Sequence, residues 1–192
     1  MALTVRGRRQ ALLIALALSW RPAEATTREV DQALRDAAAA GDLPAFQALL
    51  AQGADVNARD ARQDTALFIA ARHGHAALVQ AAVAAGADLK LLNRFGSTAL
   101  MGPAYRGHVE VVRVLLGTSI DLQHVNDLGW TALLETIALG QDGPRHRQVV
   151  QLLIAAGSDL QARDRDGASA LQLAQRRGQD EVVRLLRAAG AR

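Results

Sequence analysis

Apolar residues recur along the chain in short bursts at helical spacing, each closed by a glycine. In Val109–Leu116, residues Val111, Val112, Leu115 and Leu116 fall on one face of a helix, the pattern of an element buried along one side. Just upstream, Thr98-Ala99-Leu100 reads as a helix start, because a Thr or Ser hydroxyl accepts from a first-turn backbone N–H, and Gly107 reads as its end. A Gly-x-Asp signal stops the second helix, and an extended turn leads to the next Thr. The pattern predicts two short antiparallel helices followed by a hairpin-like loop, with Asn93–Leu116 its clearest copy.

That unit repeats. Thr65-Ala66-Leu67 recurs as Thr98-Ala99-Leu100 and Thr131-Ala132-Leu133 at a step of 33, then as Ser169-Ala170-Leu171 after 38. Gly53-Ala54-Asp55, Gly86-Ala87-Asp88, Ser119-Ile120-Asp121, Gly157-Ser158-Asp159 and Gly190-Ala191 keep the same step, as do Gly41, Gly74, Gly107 and Gly140. Asp/Asn-x-x-Gly-x-Thr-x-Leu, then Gly-His-x-x-Val-Val-x-x-Leu-Leu, then Gly-Ala-Asp-Val-Asn resembles the ankyrin repeat, over about residues 28 to 192. The wording of repeats 3 and 4, especially Leu128–Glu135 and Gly143–His146, resembles a bacterial, exported ankyrin subgroup. The resemblance implies an all-α solenoid of about five helix-turn-helix units with hairpin-like loops. Its units are 28–58, 59–91, 92–124, 125–163 and 164–192, the first and last being caps. It implies a protein-binding scaffold that works through a concave groove and its loop tips.

Composition sharpens two points. Half of the 192 residues are apolar but only 3% are aromatic, so the core must be built from small, closely stacked pieces. Residues 1–25 read as a signal peptide: basic Arg6 to Arg9, an apolar run Ala11–Trp20, and Ala23-Glu24-Ala25 as a small-x-small cleavage site. The domain would then be 26–192, exported to the periplasm, with no membrane anchor after cleavage and a monomeric state. The segment 1–25 carries four of the 22 basic and one of the 19 acidic residues, which leaves 18 of each sign. A domain without net positive charge has no global electrostatic footprint for nucleic acid. There is no cysteine.

Candidate contact residues follow from register. Phe95 and Leu128 fall in loop tips, Trp130 just before a helix start, and Tyr105 near the end of a first helix on the groove side; Arg62, Arg94 and Arg165 fall on neighbouring tips. Aromatics with arginine dominate protein-binding energetics, so these seven are the expected partner-binding strip, although Phe95 and Trp130 read equally well as packing onto adjacent loops. Gly102-Pro103 falls inside the first helix of repeat 3, where Pro103 cannot donate to Ala99 and should kink or unwind the turn. Glu135 takes the slot of Gly102, filled by Ile69 and Leu173 elsewhere, and as an interior carboxylate needs a partner. The expected partner is the backbone around Gly102-Pro103 or the loop inserted after Gly140. That insertion, around Gln141–Arg145, is expected to be a loop shaped by Gly143-Pro144.

No catalytic group, cofactor or metal site is expected. His75, His108 and His146 share the structural Gly-His slot, and His73-Gly74-His75 lacks carboxylate or thiolate company. The signal-like segment and the repeats thus point to an exported module that binds a protein partner, and the resemblance to the bacterial subgroup implies that it supports a periplasmic enzyme, for example in stress defence. An inhibitor or immunity-type protein that blocks a toxin is the nearest alternative, and a hydrolase centred on Glu135 and His146 a distant one.

Overall fold

The computed structural model describes residues 23–192, with side chains from residue 27 onward. The basic and apolar regions of the expected signal peptide lie outside the described residues. Among the described residues ten helices follow one another: α1 Ala23–Ala40, α2 Leu43–Ala51, α3 Ala66–His73, α4 Ala76–Ala84, α5 Met101–Arg106, α6 Val109–Leu116, α7 Ala132–Leu139, α8 Pro144–Ala155, α9 Ala170–Arg176 and α10 Asp180–Ala188. Each first helix packs on the first helix of the next unit, and each second helix on the next second helix, so the stack has two layers. Among the described residues there is no strand, only an isolated bridge from Arg163 to Ser169. Helix α1 begins at Ala23, ahead of the expected mature start at Thr26.

Local chemistry sets the period. The hydroxyls of Thr65, Thr131 and Ser169 accept from the N–H groups of Phe68, Leu134 and Gln172, capping α3, α7 and α9. Asp60, Asn93, Asn126 and Asp164 shape the four loop tips identically: one side-chain oxygen accepts from the N–H groups two and four residues on. Val79, Val112, Val150 and Val183 fill one layer of the core, and Phe46 fills the same slot at the N-terminal end. Ala66, Ala99, Ala132 and Ala170 are all buried, which lets the first helices approach closely without rings.

Neighbouring units are also tied by polar bonds. The rings of His75 and His108 bond through Nε2 to the carbonyls of Ala39 and Arg72, at 3.4 and 3.0 Å, and in the last unit Gln179 donates to Ile137. The amide of Asn57 donates to the Gly86 carbonyl and accepts from the Asp88 N–H; Gln123 does the same with Gly157 and Asp159. Lys90 stands in that slot in unit two and has no carboxamide to offer.

Repeats 3 and 4 depart from the sequence expectations in four places. Thr98 does not cap its helix: α5 starts at Met101, only six residues long, and the buried Thr98 hydroxyl has no hydrogen-bond partner. Pro103 is the reason, since it supplies no N–H to the Ala99 carbonyl; Met101 instead donates to Thr98 in a tighter turn. The turn is unwound and the helix shortened rather than kinked. Gly140 does not close α7 in the left-handed conformation but in an extended one, with φ of −65° and ψ of 149°. Nor is the insertion wholly a loop: Pro144 is a first-turn residue of α8, which at 12 residues exceeds the 8 of α6. His146 therefore lies inside a helix, buried, and neither ring nitrogen finds the carbonyl its counterparts bond.

Candidate functional site

Gly102 has no side chain where Ile69, Glu135 and Leu173 place one, and space opens above it on the first-helix face. The resulting cavity is about 600 Å³ and is lined by Phe68, Arg72, Phe95, Tyr105, Arg106 and Leu128 among others, with Glu135 and Thr98 reaching into it. A second cavity of about 710 Å³ adjoins it, sharing Tyr105, Arg106 and Leu139, and is walled by Gln141–His146. The two form one groove across repeats 2 to 4.

Glu135 sits in this groove at 7% exposure. Its Oε2 accepts from Asn126 Nδ2 at 3.0 Å, and the same amide donates to Ser97 at 3.1 Å. Neither expected partner, the Gly102-Pro103 backbone or the loop after Gly140, bonds it; the carboxyl is held by the loop-tip residue of its own repeat. Burial pushes its pKa up to about 7, against smaller opposing effects from the Asn126 bond and the Arg106 charge. His146 lines the other cavity, its pKa lowered chiefly by burial, and no hydrogen bond joins the two. Glu135 and His146 thus do not form a hydrogen-bonded acid–base pair.

Of the expected contact residues, Phe95 and Leu128 stand out at 48% and 46% exposure. Arg62, Arg94 and Tyr105 line the first cavity with them; Tyr105 is half-buried. Arg94 lies over the Phe95 ring and Arg106 over the Tyr105 ring, each 4.7 Å from the centroid. Trp130 lines neither of these cavities and packs, partly buried, against the core. Arg165 also lies outside them, donating to the Asp127 carbonyl on the neighbouring tip. Sequence reasoning missed Arg72, Arg106 and Leu139. The last two occupy one slot, just before Gly107 and Gly140, and that adjacency to a helix-closing glycine was the available signal.

Arg72 is held by Asp64, whose buried carboxylate accepts at 2.6 Å. His73 and His75 stack with centroids 6.0 Å apart, and His75 is engaged with Ala39. Among the described residues no three His, Cys, Asp or Glu side chains gather so as to hold a metal, and no helix is long and apolar enough to cross a membrane.

Fold and groove together define a helical-repeat solenoid, in which neighbour-only packing leaves one long face for binding. A profile of ankyrin repeats in three copies matches residues 34–126. A solved ankyrin repeat domain from Acinetobacter baumannii AYE is similar over 96% of this chain and 95% of its own, at 39% identity and a TM-score of 0.80. The ankyrin repeat protein YahD of Escherichia coli (strain K12) is 41% identical over 58 residues, so the match spans 30% of this chain and 29% of that protein. The chain belongs to the ankyrin-repeat family, whose repeats serve generally as protein-interaction modules.

Proposed function

We propose that the protein is an exported, periplasmic module that holds a partner protein in the groove over repeats 2 to 4 and at the adjoining loop tips, with no chemistry of its own. The observation that carries this reading is the groove itself: exposed Phe95, Leu128 and Leu139 rim a cavity of about 600 Å³ opened by Gly102. Exposed apolar side chains clustered with arginine are the composition of binding hot spots. Export rests on the basic, apolar and small-x-small pattern of residues 1–25. Within that compartment the module supports an enzyme, for which stress defence is one setting.

In-cell crosslinking followed by affinity capture tests it. Tagged wild type should recover a defined protein from the periplasmic fraction, and Tyr105→Ala/Leu128→Ala should lose most of it. Recovery of the same partner by the double variant removes the groove from the reading. Partner activity that rises with the module marks a supporter, and activity that falls marks an inhibitor.

A further inference from the structure

The charges around the groove are unbalanced in a way that describes the partner. Arg62, Arg72, Arg94 and Arg106 line the first cavity and Arg145 the second. Of the acids there, Asp64 is engaged with Arg72, and Asp142 with Arg147 at 3.2 Å. Glu135 is buried and accepts from Asn126. No carboxylate is paired with Arg62, Arg94, Arg106 or Arg145 among the ion pairs of the described residues. Arg94 and Arg106 are laid against ring faces, which orders each guanidinium while leaving its N–H edges free. The domain as a whole has no excess of positive charge, so this is a local field and not a global one.

We propose that the groove takes an acidic segment of the partner, its carboxylates accepting from Arg62, Arg94, Arg106 and Arg145 while one apolar side chain fills the gap at Gly102. The inference rests on the reading of the groove as a protein-binding site. Carboxylates suit this surface because a planar guanidinium can hold them with two parallel N–H bonds. The apolar anchor suits Gly102 because Phe95, Leu128 and Pro103 border the gap. The first helices of successive repeats lie roughly 10 Å apart, so α3 to α5 to α7 spans roughly 20 Å, the reach of about six extended residues.

A library of random twelve-residue peptides displayed on phage, selected against the full chain, provides the test. Enriched sequences should carry several Asp or Glu around an apolar residue. Synthesised with a fluorophore, such a peptide should lose tenfold or more in affinity by anisotropy when Arg94→Glu/Arg106→Glu is introduced, and should weaken as salt rises. Arg113→Glu, the same change on an exposed residue of second helix α6, should leave binding unchanged. Gly102→Leu, the residue the fold accepts at Leu173, should fill the gap and weaken binding without unfolding the stack. Enrichment of neutral or basic peptides whose binding still depends on Tyr105 overturns the charge assignment and leaves the groove in place. Peptides indifferent to every groove variant, or a library with no enrichment, overturn both readings. Oligothymidylate displacing the acidic peptide at lower concentration than unlabelled peptide would show that the surface reads phosphate instead.

Discussion

Glu135 is an acid whose folded pKa lies near 7, well above its ordinary 4.5, because burial disfavours the anion. Below the unfolded value both states carry the proton and nothing is lost. Between pH 4.5 and 7 the unfolded chain gives up the proton first, so stability falls as pH rises through this window and levels off above it. Glu135→Gln keeps an oxygen for Asn126 and removes the titration. Its unfolding free energy relative to wild type should therefore improve by on the order of 3 kcal/mol from pH 4 to pH 8, measured by urea denaturation. A pH-independent difference would mean that the carboxyl is not desolvated. Gln63 gives a second prediction. It is the one non-glycine residue with positive φ among those described, at 62°, in the slot held by Gly96, Gly129 and Gly167. Gln63→Gly should stabilise by about 0.5–1 kcal/mol, seen as a higher Tm. Single residues were legible in the sequence where they repeat: Thr65, Thr131 and Ser169 cap as their spacing says. The partner of Glu135 was not, because Asn126 already has a full role in its loop tip and only its spare amide hydrogens reach the carboxyl.

At the scale of elements, repeat 3 is the irregular one. Its first helix has six residues, its cap is lost, and Lys90 leaves the junction from repeat 2 without the carboxamide bridge that Asn57 and Gln123 make elsewhere. Amides of α5 should exchange faster than those of α3 and α7 in native-state hydrogen exchange, since fewer bonds must open to free them. Lys90→Asn should add the missing bridge to the Ser119 carbonyl and the Asp121 N–H and gain about 0.5–1 kcal/mol. No gain would show that this junction is spaced differently from its neighbours. The sequence predicted that Pro103 would disturb this helix but not which way. An unwound first turn costs one bond at an end, whereas a kink would have cost the packing of Ala104 and Met101, both buried.

At the scale of the molecule, the period of 33 predicted the architecture because the buried apolar slots recur from unit to unit even where the polar ties between units, at Lys90 and His146, do not. The groove was less legible, because it arises from something absent, the side chain missing at Gly102. A stack of this kind should tolerate damage unevenly: Gly74→Ala would put a methyl 2.8 Å from the His108 ring of the next unit, from a backbone with φ of 82°. It should cost on the order of 2 kcal/mol and lower the Tm, while changes on exposed second-helix positions such as Arg113 cost little. The five added residues in repeat 4 point the other way. They are divided between a short link, residues 141–143, and the first residues of α8, Pro144 and Arg145, so both ends of the insertion leave the stack in phase. This segment is a splice point at which length changes while the array stays in phase, the lost His146 bond being its local effect, and it borders the groove. Selection, or a designer grafting a foreign loop between Gln141 and Gly143, could retarget the module here while every other repeat stays as it is.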